Sequence, residues 1–590
     1  MKKLPYFTAF RDEVPPQNAP FSGASQVFWQ FFAGATLGLG LWYLHWRWTA
    51  SLNLDAPIFS ILVVLSETLA LIGTALFFFD IWEEGDSVAL PPPQRRNDLS
   101  LTGEGTISVD LFITTYDEDI EIVRPSILAA KAMQSPSGVV TRIYLLDDGN
   151  RRDMRQLAQT NEVGYISRND NRGFKAGNLA NALFQSDGDF IVICDADTQL
   201  FPTYLRNTLG YFRDPKVAWV QTPHWFYDLP KGRSWSDWLT SRLGRWSRFL
   251  AYPLEKLTGQ SRLGADHFMS NPVFFFDVIQ RRRNRNGASF CCGAGSIHRR
   301  EAVFDNALKE QGAHLAKLMA GRENADGSAL LQHTDLQPFR YHVSEDIFTS
   351  IQQHQKGWRS VYHPQIEARM LSPWSMSAWA LQKLKYAGGT FDIMFHANPL
   401  FKTGMPWKIR LHYLATFWSY LAIFWLPILI LAPAYSLFSG QAPISSYSID
   451  FFRHILPVLI CNELAMSLAA KGNQLSSGRV ITIGTLFIQW RAMVQVLLGR
   501  KPHFAPTPKT PVFSASLRHA LPNLILITIL MLAVAYGTYR YLEPSGDYSA
   551  AFVLVNTLWI CWVCVALVRV SLCALTVPEP PAHSPVSKSE

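Results

Sequence analysis

The chain has 590 residues, of which 48% are hydrophobic and 17% are charged, and it contains 19 Trp and 38 Phe. This apolar and aromatic content favours a membrane protein over an ordinary soluble multidomain protein. The formal net charge of +8 fits anionic lipid beside apolar spans better than a nucleic-acid partner. The 7 Cys are scattered, and Cys561-x-x-Cys564 lies in an apolar run, so neither a disulfide framework nor a zinc site is predicted.

Six apolar runs are long enough to cross a hydrocarbon core, which takes roughly 20 residues. The first run is long and lacks a small-residue cleavage pattern, so we expect it to remain in the mature protein. The runs lie at about 27–46, 57–82, 409–437, 451–470, 521–541 and 550–572. The sequence therefore predicts a multi-pass membrane protein.

Basic residues in the connections predict the orientation. Loops 441–450 and 543–549 contain no Lys or Arg, whereas the long polar block and the stretch 471–518 contain many. Because cytoplasmic loops carry the excess of Lys and Arg, the polar block and both termini are expected in the cytoplasm. A further apolar run, 480–498, contains Arg491 and two Gln, which favours a helix in the membrane interface over a seventh span.

These patterns divide the chain into eight predicted parts. The Pro-rich stretch 91–96 is a linker before the polar block, and the last residues have a disordered composition. The parts are a cytoplasmic N-terminal segment (1–26), two transmembrane helices (27–82), a catalytic domain (97–372), interfacial helices (373–408), two transmembrane helices (409–470), an interfacial helix and loop (471–518), two transmembrane helices (519–575) and a disordered tail (576–590).

Strands and helices alternate in the polar block. Buried strands are predicted at 108–114, 141–146 and 189–194, with a helix at 121–132 after the first. Such alternation predicts a mostly parallel sheet covered by helices, in which ligands bind at the carboxyl ends of the strands. The acidic motifs at 147–149 (Asp-Asp-Gly) and 195–197 (Asp-Ala-Asp) follow two of these strands, which predicts a site at that edge.

Asp195 and Asp197 are candidate metal ligands, because two carboxylates in this spacing can hold one divalent ion against a diphosphate. The alternative is a solvated turn at the end of a strand. Lys175 precedes a predicted helix, where a cation and backbone amides can contact phosphate.

Two further motifs suit a transfer reaction. Asp346 is a candidate general base, and Ser344 is expected to cap a helix over 347–355; a simple helix start is the alternative. Gln382, Lys385 and Tyr386 fall on one helical turn, where they can hold a diphosphate and stack a sugar ring. An ordinary amphipathic interfacial helix would explain the same turn.

The order of the motifs at 147–149, 195–197, 344–346 and 382–386 resembles the processive inverting family 2 glycosyltransferases of the bacterial cellulose synthase and β-glucan synthase group, over roughly 25–575. The resemblance implies an α/β GT-A-type cytoplasmic glycosyltransferase domain inserted in an α-helical transmembrane bundle. It implies Mg²⁺ or Mn²⁺ at Asp195 and Asp197, and Asp346 as the general base. It assigns donor binding to Tyr116, Asp117, Asp148, Lys175, Gln382, Lys385, Phe504, Thr507 and Lys509, and acceptor binding to Tyr386, His224, Trp225, Cys292, Gly293 and Glu345.

The implied activity is polymerisation of glucose from UDP-glucose, with export of the chain through the protein's own spans in a bacterial inner membrane. The implied partners are the UDP-sugar, the growing polysaccharide, membrane lipid and a periplasmic export partner, with no nucleic acid. Lys385 and Tyr386 stand where the family has Arg and Trp, so a β-1,3 or mixed linkage stays open beside β-1,4. No PilZ-like regulatory domain is expected after the last span.

Three alternatives remain. The same donor motifs would serve a membrane glycosyltransferase that adds one sugar to a lipid carrier, or a synthase using UDP-N-acetylglucosamine. A transporter with a nucleotide-binding domain would place ionisable residues deep in the spans, where only Glu67 and Glu463 stand out. Those two residues can instead pair within the bundle or line a polymer path.

Overall fold

Six helices of the protein are long and apolar enough to cross a membrane, as the sequence predicts. The computed structural model describes residues 5–99, 101, 104–258, 262–263, 265–319, 336–473, 476–499, 515–544 and 548–576. The six candidate spans are Gly23–Ala50 (α1), Pro57–Asp80 (α2), Trp407–Ser439, Ile449–Ala469 (α15), Leu517–Leu542 (α18) and Ala550–Leu575 (α19). The third span consists of two helices, Trp407–Leu421 (α13) and Leu426–Ser439 (α14).

The run at 480–498 is not the single interfacial helix that the sequence predicts. It forms two short helices, Ser476–Gly484 (α16) and Leu486–Leu497 (α17), bent by 56° at Thr485. Counted as one broken span, this pair would bring the spans in the described residues to seven. At the bend, Gly484 packs so closely against Val570 of α19 that an added Cβ would overlap the Val570 side chain.

A seven-stranded mixed sheet forms the core of the polar block. Its strands are Ile107–Thr115 (β1), Val139–Asp147 (β2), Gly164–Ser167 (β3), Phe190–Asp195 (β4), Val217–Gln221 (β6), Ser296–Arg299 (β9) and Arg359–Tyr362 (β10), with separate short pairs Gln199–Leu200 (β5) against Ala368–Arg369 (β11) and Arg233–Ser234 (β7) against Arg262–Leu263 (β8). The strand order is β10-β6-β9-β4-β1-β2-β3, and β9 runs antiparallel to both of its neighbours while the other pairs are parallel. The predicted α/β class is therefore confirmed.

Helices cover this sheet and connect it to the spans. They are Ile120–Lys131 (α3), Arg152–Thr160 (α4), Phe174–Phe184 (α5), Tyr204–Thr208 (α6), Trp235–Leu243 (α7), Ala251–Thr258 (α8), Arg281–Arg283 (α9), Arg300–Met319 (α10), Glu345–Gln355 (α11) and Met376–His396 (α12). A π-helical turn, Phe274–Gln280, leads into α9. Central strands β1 and β4 are buried on both faces, as near-continuous apolar strands require.

A buried ion pair joins the polar block to the spans. The Arg283 guanidinium donates from Nε to Asp80 Oδ1 at 2.9 Å and from Nη2 to Asp80 Oδ2 at 2.9 Å, and both side chains are only 4% exposed. Asp80 also bonds His412 in α13. Because breaking one side of a buried pair leaves an uncompensated charge, this contact fixes α2 and α13 to the α9 segment.

Both span glutamates have partners, as one of the two predicted alternatives requires. Arg47 in α1 is fully buried and contacts Glu67 in α2 at 2.9 Å, while Glu463 pairs with Arg479. The glutamates therefore pair within the helical bundle.

Candidate active site

The acidic motifs meet at one edge of the sheet. Asp147 is the last residue of β2 and Asp195 the last residue of β4, and β1 lies between these strands with Thr115 opposite Asp147 and Thr114 opposite Asp195. Parallel strands place their carboxyl ends together, so the sequence could predict this convergence.

Lys175 is the centre of the cluster. Its ammonium donates to Asp195 Oδ1 at 2.5 Å and lies 4.0 Å from Glu345 Oε1. Burial disfavours the charge of Lys175, but the carboxylates of Asp195 and Glu345 outweigh burial and raise its pKa. The side chain is therefore a cation at the sheet edge, next to both acidic segments.

Gly293 brings the segment before β9 into the same cluster. Its φ is +84°, and a Cβ added there would lie 3.5 Å from Lys175 Nζ and 3.8 Å from Asp346 Oδ2. A glycine is favoured because an L side chain is strained in this conformation, whereas the added Cβ would make only ordinary contacts.

Glu345 and Asp346 form the first turn of α11. Burial, followed by repulsion from Asp346, raises the pKa of Glu345, and burial also raises the pKa of Asp346. A raised carboxylate pKa suits a residue that must accept a proton. Ser344 occupies the N-cap position, but its side chain accepts no capping hydrogen bond, so the predicted cap is wrong; Asp346 Oδ1 instead accepts from its neighbour Ile347 N at 2.8 Å.

Asp197 is buried, and its Oδ2 accepts a hydrogen bond from Leu371 N at 2.9 Å, whereas the side chain of Asp195 is 43% exposed. Within the described residues, no group of three or more His, Cys, Asp or Glu side chains is placed to hold a metal ion. The Asp pair offers hard oxygen ligands and leaves further coordination positions to other oxygens, which is the usual arrangement for Mg²⁺. The residues present therefore fit a divalent ion that a phosphate-bearing ligand would complete.

The predicted acceptor segments lie against each other. Gln221 joins them, because its Oε1 accepts from Cys292 N at 2.8 Å and its Nε2 donates to Ala294 O at 3.1 Å. His224 Nε2 bonds Ala294 O at 2.8 Å, and burial lowers the pKa of His224 to about 4, which makes it neutral at pH 7. Trp225 adjoins the short strand pair of β5 and β11, where its carbonyl accepts from Met370 N at 3.0 Å.

α12 carries Gln382, Lys385 and Tyr386 on one turn, as predicted. One turn further on, Gly389 packs so closely against Ser344 that a Cβ would overlap the Ser344 hydroxyl. The Tyr386 ring is 52% exposed. α12 therefore lies directly on the Ser-Glu-Asp motif and presents an accessible aromatic ring beside it.

Asp148 has a partner that sequence reasoning missed. Arg168 donates to both Asp148 oxygens, at 2.5 Å from Nε and 2.9 Å from Nη2, and also to the carbonyls of Arg172 and Phe174. It follows β3, a short strand that was not predicted, so no sequence signal indicated its position beside the end of β2. Tyr116 reaches the same loop, because its hydroxyl lies 3.4 Å from Asn171 Nδ2. Asp117, the residue after Tyr116, is exposed.

Residues near the N-terminus also contact Asp228, which holds the segment next to Asp197, and no sequence signal predicted this contact. Tyr6 donates to the buried Asp228 at 3.0 Å, and Asp228 also accepts from Ser372 N and Trp374 Nε1. Leu371, the residue before Ser372, donates its backbone N–H to Asp197. The remaining predicted donor residues, Phe504, Thr507 and Lys509, lie outside the described residues.

Comparison with known proteins agrees with this geometry. Residues 108–389 match the model described as glycosyltransferase like family 2, and residues 339–475 match that of cellulose synthase. Cellulose synthase 2 from Novacetimonas hansenii is 28% identical over 541 residues, which are 90% of this chain and 30% of that protein. The cellulose synthase catalytic subunit (UDP-forming) from Pseudomonas fluorescens (strain SBW25) is 27% identical over 541 residues, covering 89% of this chain and 64% of that one. The chain thus spans between about a third and two thirds of the length of these relatives.

Among solved structures, the mannosyltransferase PcManGT from Pyrobaculum calidifontis, in complex with GDP-Man and Mn²⁺, is 13% identical and covers 74% of this chain and 99% of its own, with a TM-score of 0.42.

The sheet, its acidic strand ends and the matched region define a family 2 glycosyltransferase domain, here joined to helices that can span a membrane. Beyond that domain, about nine tenths of the chain is similar to cellulose synthases, and residues 339–475 match the cellulose synthase model.

Proposed function

We propose that the protein is a processive, inverting β-glucan synthase that transfers glucose from UDP-glucose to a growing chain and exports the polymer through its spans. One observation carries this proposal: the Asp195, Lys175 and Asp346 cluster lies directly under α12, which presents Tyr386 and leads into the third span. Relatives named cellulose synthases align with about nine tenths of the chain, which supports the same activity.

Donor binding follows from the charges at the sheet edge. A UDP-sugar brings a diphosphate, and Lys175 provides a partly buried cation next to Asp195. Asp195 and Asp197 would hold Mg²⁺ or Mn²⁺, which neutralises charge on the departing diphosphate. Asp148, held by Arg168, and the adjacent Tyr116 and Asp117 would receive the uridine end.

The transfer itself requires a base. The acceptor hydroxyl oxygen attacks C1 of the donor glucose from the side opposite UDP, a C1–O bond to the acceptor forms, and the C1–O bond to the β-phosphate breaks. The hydroxyl proton passes to Asp346, whose raised pKa favours accepting it. Tyr386 is exposed beside Asp346 and would stack the terminal sugar of the chain.

Linkage is part of the proposal. Lys385 provides a point charge, whereas an arginine would offer a planar fork to phosphate, and Tyr386 is smaller than the tryptophan typical of the family. An altered platform changes which hydroxyl of the terminal sugar faces C1. We therefore propose β-1,4 linkage or, through these two residues, β-1,3 or mixed linkage.

The test uses purified protein in lipid vesicles with Mg²⁺ or Mn²⁺ and radiolabelled UDP-glucose, followed by linkage-specific glucanases. Label in a polymer that one glucanase degrades would support the synthase and identify the linkage. Label only from UDP-N-acetylglucosamine, or only on a lipid acceptor, would overturn the glucan assignment.

A matched pair of variants tests the base. Asp346→Asn should abolish polymer formation and leave UDP binding nearly intact. Asp153→Asn is the control, because Asp153 Oδ1 accepts from Met154 N at 2.9 Å in the first turn of α4, as Asp346 Oδ1 does from Ile347 N in α11. Continued synthesis by the Asp346 variant would remove Asp346 from the base role.

A further inference from the structure

An arginine-rich aromatic segment between β7 and β8 has no role in the proposed reaction. We name residues 233–258 the aromatic hairpin, which consists of β7, α7 and α8. Beyond its end, β8 pairs with β7, with Arg233 opposite Leu263. Ser234 caps α7 by accepting from Asp237 N at 3.0 Å, and Gly244 ends α7 with φ +86°. The hairpin is therefore a built element of the fold.

The hairpin has its own small core. Trp235, Leu239 and Ala251 are buried against one another, with the partly buried Leu250 and Leu254 packed beside them. The helices therefore already bury one apolar face, and the exposed apolar residues lie on a different face.

The other face is apolar, aromatic and exposed. Leu243 is 50% exposed, Trp246 and Phe249 are each 66% exposed, and Tyr252 is 68% exposed. Bulky apolar groups gathered in ten residues are unusual on a water-facing surface and mark an interaction site. Tryptophan and tyrosine are the side chains enriched where a membrane meets water.

Cations alternate with these aromatic residues. Arg242, Arg245 and Arg248 are exposed, and the sequence has no acidic residue between positions 238 and 254. None of the three arginines forms an ion pair with another described residue. An apolar face interleaved with arginine is complementary to an anionic lipid surface, where rings enter the headgroup region and guanidinium groups remain at the phosphates.

The hairpin lies at the end of a membrane span. Beyond β8, His267 Nε2 bonds Cys573 O at 3.1 Å, and Cys573 Sγ donates to His267 O at 2.9 Å, two residues before α19 ends. Phe268 and Met269 pack with Ala566 and Val570 of the same helix, and α8 itself contacts α19. The exposed face is thus held close to the level at which the last span leaves the membrane.

We propose that the aromatic hairpin docks on the anionic lipid surface surrounding the spans, as an interfacial anchor of the glycosyltransferase domain. This contact is separate from the six spans and from the active site. It would fix the height of the sheet edge above the membrane.

The test measures hydrogen–deuterium exchange of the full chain in nanodiscs of phosphatidylcholine alone and with phosphatidylglycerol. Amides of residues 242–252 should exchange more slowly when the anionic lipid is present. Arg245→Gln should weaken this protection about fivefold, as expected for one cation near a charged surface, and Trp246→Ser should reduce it in both lipids. Arg152→Gln is the control, because Arg152 is an exposed arginine on α4, in a segment with no exposed aromatic residue.

Lipid contact is checked directly with diazirine-tailed phosphatidylglycerol, which should label peptides from the hairpin. Protection that is equal in both lipids and unaffected by Arg245→Gln would overturn the proposal. So would protection that follows protein concentration, because it would show that a second copy of the chain covers this face. The readouts do not use catalysis, so failure of the synthase proposal would leave them unchanged.

Discussion

Arg168→Lys tests how the donor pocket is held in shape. Arg168 makes five hydrogen bonds, and the four shorter ones run to Asp148 Oδ1 at 2.5 Å, to Asp148 Oδ2 at 2.9 Å, to Arg172 O at 2.6 Å and to Phe174 O at 2.8 Å. A lysine keeps the charge, but its single ammonium cannot span both carboxylate oxygens and both carbonyls. At least two bonds are therefore lost in the variant.

The magnitude follows from the burial of the pair. Hydrogen bonds to charged groups contribute about 1.5–3 kcal/mol each, and Arg168 and Asp148 are 10% and 8% exposed. Water replaces part of the loss at this exposure, which leaves about 1.5–3 kcal/mol for ordering the loop, or roughly 10- to 100-fold in affinity. We expect UDP to bind more weakly by that factor in the Arg168→Lys protein.

Isothermal titration of UDP into the purified protein measures this directly. Arg152→Lys is the matched control, because it makes the same change at an exposed position on the neighbouring α4. An unchanged UDP affinity in Arg168→Lys, with the same thermal stability as the natural chain, would refute the placement of the nucleotide beside Asp148.

Three other predictions concern the reacting groups. The rate of polymer synthesis should fall as the pH decreases through the raised pKa of Asp346, because the base is then protonated. Initial rates in a pH series measure this fall. A rate that stays constant down to the usual aspartate pKa, about 4, would contradict the assignment of Asp346 as the base. Gly293→Ala should lower kcat by about 5- to 30-fold, since strain of about 1–2 kcal/mol arises at φ +84° in the segment that contacts Lys175 and Asp346; steady-state kinetics check this, with Gly244→Ala as a positive-φ control outside the site. Tyr386→Trp together with Lys385→Arg should shift the product toward β-1,4 linkages, which linkage analysis of the polymer detects; an unchanged linkage pattern would show that these residues do not set the linkage.

The spans and the main strands could be predicted because their signals are local. Apolar runs gave all six candidate spans, and the acidic turns after β2 and β4 gave the sheet edge. The break between α16 and α17 was not predicted, because it depends on packing of Gly484 against Val570, 86 residues later in the chain. Ser344 has the right residue type for a cap, but its side chain packs against Gly389 of α12 and accepts no hydrogen bond from the first turn of α11.

The chemistry of the site was predictable where the motif residues themselves meet, and less so where other residues orient them. Lys175, Glu345 and Asp346 come together as proposed. Arg168 and Asp228 were missed, since each acts through partners that are distant in sequence or belong to an unpredicted strand. Such positioning contacts leave no periodic or spaced pattern, and only the folded chain shows them.

The buried pair in the first two helices has a consequence for biogenesis. Arg47 contacts Glu67 at 2.9 Å, Ser51 at 2.8 Å and the carbonyl of Pro443 at 3.3 Å, and its side chain is fully buried. An unpaired arginine resists entry into a bilayer. Glu67 is synthesised 20 residues after Arg47, whereas Pro443 follows 396 residues later. We therefore expect the translocon to release α1 and α2 into lipid together, as a helical hairpin already neutralised, and to add the remaining bond only when the third span arrives.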